Sequence, residues 1–220
     1  MYKAVIFDLD GTLIDSLPDL MDSVNQALSS LGYQTHTYEE VRSFVGNGVR
    51  KLIERSLPAS ATSDDVDRCL ELFKCVYASR KLNKTAPFDG VLPLLRSLKD
   101  KGVVVGVLSN KYDVAVKEII ASLFPSLIDE RFAWGESSVV PKKPNPEGLL
   151  SMMKEMGVGP AECCYVGDSD VDIRTGNAAG VHAIGVLWGY RDSDCLQKEG
   201  PHRLVSTPGE LLNEILESHV

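Results

Sequence analysis

Apolar residues recur in two rhythms along the chain, and the rhythm changes near residue 90. Beyond that point, short runs of mostly β-branched residues alternate with stretches whose apolar positions return every three or four residues. The runs are "VVVGVLS" (103–109), "CCYVGD" (163–168) and "HAIGVLWG" (182–189), and "AVIF" (4–7) belongs with them. They are too continuous for a strand with one wet face, and read as strands buried on both faces. The stretches 90–101, 113–124, 146–157 and 172–179 predict helices, with Gly102, Gly157 and Gly180 standing where helices end. Such alternation predicts an α/β fold, a Rossmann-like parallel sheet with helices on both faces. The tail from 200, "GPHRLVSTPGELLNEILESHV", predicts a last short strand and helix completing it.

Residues 16–85 follow only the helical rhythm, with amphipathic stretches at 17–31, 39–56 and 64–82. Loops "SSLGYQTHT" and "LPASATSDD" separate them, and Ser63 stands as a cap before Asp64, Asp65 and Asp67. The pattern predicts a helical domain, 16–85, inserted into an α/β core made of 1–15 and 86–220. The joining segments lie near 14–18 and 83–90, with "KTAPFDG" as the return hinge.

Parallel sheets of this kind bind ligands at the carboxyl ends of their strands. There the first strand offers Asp8 and Asp10, the second Ser109, Asn110 and Lys111, and the third Asp168, Ser169, Asp170 and Asp172. Lys142 and Lys143 precede Pro144 in the loop before a helix. Each group alone has a plainer reading. Asp10-Gly11-Thr12 is turn chemistry, Ser109-Asn110 a strand-to-helix cap, the lysines a solvated pair, and the acids at 168–172 a helix N-terminus. Their convergence on one sheet edge points to a site. Carboxylates ending a buried run must be compensated by a cation, a hydrogen bond or a metal.

Composition narrows the partners. The 220 residues are 44% hydrophobic and 25% charged with net charge −8, an ordinary globular balance. No cluster of Lys and Arg could neutralise a phosphate backbone, so nucleic acid is excluded as the main partner, while a small anion can still find a locally positive pocket. No apolar stretch approaches the roughly 20 residues of a bilayer span, and Asp8 interrupts the first apolar run before it could serve as a signal sequence. No membrane association and a cytoplasmic location are therefore expected. The five cysteines lack a C-x-x-C pair, fit reduced thiols, and each reads as a small buried apolar residue.

Taken together, "DLDGT" (8–12), "LSN" (108–110), the lysine of "KKPNP" (142–146) and "GDSDVD" (167–172) resemble, in order and over the whole chain, the haloacid dehalogenase superfamily of phosphohydrolases. More narrowly, "FVGNGVRKLIERSL" (44–57) and "PFDGVLPLLRSLKDKG" (87–102) are similar to its phosphoglycolate phosphatase branch. The resemblance implies a phosphatase using Mg2+, with Asp8 as nucleophile forming an aspartyl-phosphate and Asp10 as general acid and base. It implies that Asp8, Asp10 (through its backbone carbonyl) and Asp168 hold the metal, and that Asp172 stands behind them or near the lysine. It further implies that Ser109 and the Asn110 N–H bind phosphoryl oxygens and that Lys143 offsets charge, with Lys142 one position away as the alternative. Residues 16–85 would be a cap closing over the core, and the substrate a small phosphorylated metabolite such as 2-phosphoglycolate. Magnesium suits a few carboxylates because it is a hard ion that prefers oxygen ligands.

Rival activities separate on single residues. A dehalogenase or a phosphonate hydrolase of the superfamily lacks the second aspartate, and Asp10 stands against both. A β-phosphoglucomutase-like enzyme also uses the D-x-D pair but carries a histidine on its first cap helix, where "DSLPDLMDSVNQALSS" has none. A pyrophosphatase of the superfamily stays open. A phospho-accepting receiver module has no place for the insert, and it accepts phosphate on an aspartate after its third strand. In the insert, Gly46 and Gly48 could approach a substrate or form an ordinary turn, and Arg50 could meet a substrate carboxylate or remain a solvated charge. "GNGVRK" lacks the G-K-[ST] of a P-loop. The four histidines show no ligand spacing, and nothing sets the oligomeric state.

Overall fold

Every residue of the first strand, β1 (Ala4–Phe7), is buried, and its alternate side chains enter different layers. The computed structural model describes residues 1–217. After β1 come β2 (Ile14–Asp15), α1 (Leu17–Ser30), α2 (Tyr38–Phe44), α3 (Val49–Ser56), α4 (Ser63–Arg80), β3 (Ala86–Pro87), α5 (Val91–Asp100), β4 (Val104–Tyr112), α6 (Asp113–Leu123), β5 (Ala133–Glu136) and α7 (Glu147–Met156). The remainder is β6 (Cys163–Gly167), α8 (Asp170–Ala179), β7 (His182–Val186), α9 (Ser193–Lys198), β8 (Arg203–Val205) and α10 (Pro208–Glu217). Val5 and Phe7 pack with Leu94 and Leu98 of α5, Ile119 of α6 and Ile215 of α10. Ala4 and Ile6 face Leu149 and Met152 of α7 on the other side. Two helix layers thus cover one sheet, as the unbroken apolar runs require.

The six strands lie in the order β5-β4-β1-β6-β7-β8, and every pairing is parallel. From β1 the chain adds β4 and β5 on one side, then β6, β7 and β8 on the other, so the order reverses at β1. That reversal opens the crevice where such sheets bind ligands. Register then aligns the chemistry. Phe7 pairs with Val107 on one side and Val166 on the other, so Asp8 emerges beside Ser109 and Asp168. Ser109 lies inside β4, because that strand runs on past the expected end at 109 to Tyr112, and Asp168 lies just past β6.

Strand β5, "AWGE", is absent from the sequence reading. It is four residues long with a glycine inside, and only alternate positions are buried, so it carries no apolar run. The joining segments also do more than link, since β2 and β3 pair antiparallel, Ile14 with Pro87 and Asp15 with Ala86. Buried Asp19 ties the return segment to α1 by accepting from the Lys84 and Thr85 N–H groups and the Thr85 hydroxyl.

Helices α1 to α4 share their own core, including Leu28, Ile53, Phe73 and Tyr77. The single helix expected over 39–56 is two, α2 and α3, because the chain takes positive φ at Gly46 and Gly48. Thr62, not Ser63, caps α4, in a reciprocal capping box with Asp65. Cys69, Cys163 and Cys164 are buried as expected, but Cys75 is exposed and Cys195 half-buried. No helix among the described residues is long and apolar enough to cross a membrane. The last residues of the tail, with His219, lie outside the described residues.

Candidate active site

Asp8 leaves β1 with its N–H donated to the Val166 carbonyl, and the chain at once turns tightly, the Leu9 carbonyl accepting from the Leu13 and Ile14 N–H groups. Gly11 is required in that turn. It takes φ +89, and a Cβ there would lie 2.3 Å from an Asp168 oxygen. Gly189 presses on the same aspartate from the far side, where a Cβ would fall 2.3 Å from the Asp168 Cβ. Between these backbones the Asp168 carboxylate accepts from the Tyr190 N–H at 2.7 Å and the Thr12 hydroxyl at 3.2 Å.

Lys143 is the hub of the buried charges. Its ammonium lies 2.8 Å from Asp8 Oδ1, 2.6 Å from Asp172 Oδ1 and 2.9 Å from the Tyr165 hydroxyl. Asp172 is placed by the start of α8, where Ser169 caps the helix and donates its N–H and hydroxyl to Asp172 Oδ2. The loop carrying Lys143 is fixed by Asn110, whose side chain accepts from the Lys143 N–H at 2.8 Å and donates to the Lys143 carbonyl. Burial works against the Lys143 ammonium, but Asp172 and Asp8 outweigh it and hold its pKa well above the usual lysine range. Lys142 points elsewhere, pairing with Glu136 at 3.0 Å in a half-exposed position.

Oxygens of Asp8, Asp168 and Asp172 lie within 4.8 Å of one another. Burial, against the pull of Lys143, pushes the Asp8 carboxyl up to about 7. Burial, then the charges of Asp172 and Asp8, pushes Asp168 up to about 8. Such crowding of carboxylates calls for a cation, and an all-oxygen donor set suits a hard divalent ion. Both Asp172 oxygens are committed, one to Lys143 and one to Ser169. Asp168 likewise accepts on both oxygens, from Thr12 and Tyr190, but from neutral donors, whereas Asp172 is bound to the Lys143 ammonium and orients it.

Asp10 turns its carboxylate away from this cluster. Its oxygens accept from the Lys111 ammonium at 2.8 and 2.9 Å, and one also accepts from the Ser16 hydroxyl. Ser16 sits at the N-cap of α1, yet its hydroxyl makes no capping bond. The Tyr190 hydroxyl substitutes, accepting from the Ser16 N–H at 3.0 Å and the Leu17 N–H at 3.1 Å. A local capping rule is broken because Asp10 takes the serine.

Over these residues sits the underside of the cap helices. Asp8, Asp10, Ser109, Asn110 and Lys111 line one wall of a cavity of about 40 Å³, and Leu20, Val45, Val49 and Leu52, with the backbone at Gly46 and Gly48, line the other. Asn110 joins the walls by donating to the Gly46 carbonyl at 3.2 Å. Arg191 reaches from the core to the end of α2, donating to the Arg42 and Val45 carbonyls, while Arg42 donates back to the Gly189 carbonyl. Arg50 does not enter the cavity, because its guanidinium pairs with Asp67 at 2.6 Å and Glu54 at 3.3 Å. Asp170 likewise stays out, paired with Arg174.

The seven residues expected at the site thus meet in one place, Asp8, Asp10, Ser109 and Asn110 on the cavity and Lys143, Asp168 and Asp172 around Asp8. Four partners were not expected. Lys111 had been visible only as a strand-end lysine, while Ser16, Tyr165 and Tyr190 belong to no motif: Ser16 meets Asp10 only through the turn after β1, and Tyr165 and Tyr190 reach Lys143 and Ser16 across the fold.

A parallel sheet reversing at a strand that ends in a buried aspartate, with further acids and a lysine beside it, defines a phosphohydrolase-type α/β site. The chain belongs to the haloacid dehalogenase-like hydrolase family, whose model matches residues 5–186. Among curated relatives, it is 36% identical to the phosphoglycolate phosphatase of Pseudomonas putida over 96% of this chain and 78% of that one. With the phosphoglycolate phosphatase of Colwellia psychrerythraea it shares 33% identity over 96% of this chain and 95% of the relative. A solved structure from Lactobacillus delbrueckii subsp. bulgaricus, assigned as a phosphoglycolate phosphatase, superposes with a TM-score of 0.91 at 36% identity, covering 97% of this chain and 98% of that one.

Proposed function

We propose that the chain is a magnesium-dependent phosphate monoester hydrolase working through an aspartyl-phosphate on a small metabolite such as 2-phosphoglycolate. The observation that carries this reading is the setting of Asp8. Lys143 takes its Oδ1 at 2.8 Å, leaving Oδ2 for attack, and Ser109 and Asp10 share the cavity it faces. The similarity to phosphoglycolate phosphatases over nearly the whole chain supports the choice of substrate.

In the first step an Asp8 oxygen forms a bond to phosphorus as the ester oxygen leaves, and Asp10 gives that oxygen a proton. In the second, water attacks the aspartyl-phosphate, Asp10 takes a proton from it, and inorganic phosphate departs with Asp8 restored. Ser109 and the Asn110 N–H hydrogen-bond the phosphoryl oxygens, and Lys143 offsets charge on Asp8 and the phosphate. A magnesium ion held by the Asp8 and Asp168 carboxylates and the Asp10 backbone carbonyl would lower the repulsion between carboxylate and phosphate dianion. Residues 16–85 act as a cap that opens to exchange substrate and closes to exclude water.

Phosphate release from a panel of small esters tests this, with magnesium or excess chelator, in wild type and Asp8→Asn. Release should require magnesium, favour 2-phosphoglycolate, and fall by about four orders of magnitude in the variant. Undiminished release in Asp8→Asn would overturn the nucleophile, and no release from any ester by the folded wild type would overturn the hydrolase.

A further inference from the structure

Lys111 is a buried lysine on the cavity wall that the proposed reaction does not use. Its side chain is 3% exposed, and it is the one cationic side chain lining the cavity among the described residues. The facing cap wall supplies no charge at all, because Leu20, Val45, Val49 and Leu52 are apolar and Arg50 is committed to acids outside. Burial disfavours the Lys111 ammonium, yet Asp10 outweighs burial and keeps it charged.

An ammonium has three donors, and two of these satisfy Asp10 Oδ1 and Oδ2. The third is not taken by a carboxylate and lies beside the Tyr77 hydroxyl, from which a ligand anion would draw it. The ammonium also lies 4.9 Å from the ring centroid of Tyr77, whose buried hydroxyl makes no hydrogen bond of ordinary geometry. A ligand anchored by its phosphoryl group at Asp8 and Ser109 sets the rest of itself between this ammonium and an apolar wall. A second anionic group is favoured at the ammonium, and a short hydrocarbon link is favoured at the wall. A polyhydroxylated chain would bury hydroxyls against Leu20, Val49 and Leu52 with no partners, which is strongly disfavoured.

We propose that Lys111 is the specificity-determining residue that binds the carboxylate of a short phosphorylated hydroxy acid, selecting it over neutral and sugar phosphates. This assignment rests on the phosphatase reading above and deepens it. Lys111 has two partners in this picture, Asp10 through two donors and the substrate carboxylate through the third. Removing it therefore slows every ester, but slows the carboxylated one further.

The test compares 2-phosphoglycolate with ethyl phosphate, which is similar in length and lacks the carboxylate, at saturating magnesium. Wild type should prefer 2-phosphoglycolate in kcat/KM by about 30-fold or more, the scale of a hydrogen bond to a charged group. Lys111→Met should bring that ratio close to unity, mostly through KM, and Lys111→Arg should restore part of it. An unchanged ratio in Lys111→Met, however far both rates fall, would reduce Lys111 to a positioner of Asp10 and overturn the proposal. Wild type that cleaves ethyl phosphate without preferring 2-phosphoglycolate would overturn it too, with the phosphatase reading intact. Wild type that cleaves no ester would instead sink that reading. Because Lys111→Met could fail to fold, inhibition of wild type is measured as well. Phosphonoacetate should inhibit about 30-fold more tightly than ethylphosphonate, and equal inhibition overturns the assignment.

Discussion

The two walls of the cavity are built on opposite principles. On the core wall nearly every polar side chain is buried and held by fixed partners, with Lys143 between Asp8 and Asp172, Asn110 on the lysine loop, and Asp168 between Thr12 and Tyr190. On the cap wall the cavity meets apolar side chains and glycine backbone, and the cap is tied to the core largely through backbone carbonyls and N–H groups. The contrast teaches a division of labour. Charged groups are set on the strands and the turns that follow them, where the sheet fixes them, and the apolar wall is carried on helices with few attachments.

The sharpest way to break the core wall is Lys143→Met. It leaves Asp8 and Asp172 as unpaired buried acids, so denaturant unfolding should show a loss of about 3–5 kcal/mol, together with loss of phosphate release. Lys142→Met is the control beside it. Its half-exposed pair with Glu136 predicts a change within about 0.5 kcal/mol. Equal effects from the two substitutions would mean that the buried network does not hold the core wall together.

A smaller effect is expected where the walls join. Tyr190→Phe removes the oxygen that accepts from the Ser16 and Leu17 N–H groups; Leu17 keeps Asp15 as a partner, but the buried Ser16 N–H is left unsatisfied at a cost of about 1–3 kcal/mol. Amide exchange should quicken in α1 and not in β1, and KM should rise by more than kcat falls. Uniform loss of protection in both elements would show that the cap and the core do not open separately.

The same contrast decides what could be read from sequence. The core wall was legible because strand ends in a parallel sheet share one edge, so Asp8, Ser109 and Asp168 could be brought together from strand order alone. Lys143 was legible through its place before Pro144 in the motif order. The cap wall was not, because Leu20, Val45, Val49 and Leu52 look like any core positions of amphipathic helices. Tyr190 and Ser16 were hidden for another reason: they act on each other across more than 170 residues, and no local pattern reports such a pair. Strand β5 was missed for want of an apolar run, although two helical stretches in succession, 113–124 and 146–157, should have demanded a strand between them. Arg50, the one cap charge considered for substrate binding, proved to be held by acids on its own side of the cap.

The gentlest probe leaves the sequence unchanged and varies proton and metal. Asp8 is pushed up to about 7 and Asp168 up to about 8, both first by burial, whereas in the unfolded chain an aspartate titrates near about 4. Between these values the metal-free folded state holds protons that the unfolded state has released. The contribution of these two groups to stability therefore falls as pH rises from about 4 through about 8. A divalent cation on Asp8 and Asp168 supplies the missing positive charge once those protons have left, so its stabilisation must grow over the same window. The rise in Tm on adding saturating magnesium should be greater at pH 8 than at pH 5.5 by about 3 °C or more. Comparing differences within each pH cancels the effects of other groups on Tm. Asp8→Asn should flatten the dependence, because the amide neither holds the proton nor offers a charged ligand. An equal rise at both pH values would place the cation away from the core wall, and the crowding of Asp8 and Asp168 would then need another explanation.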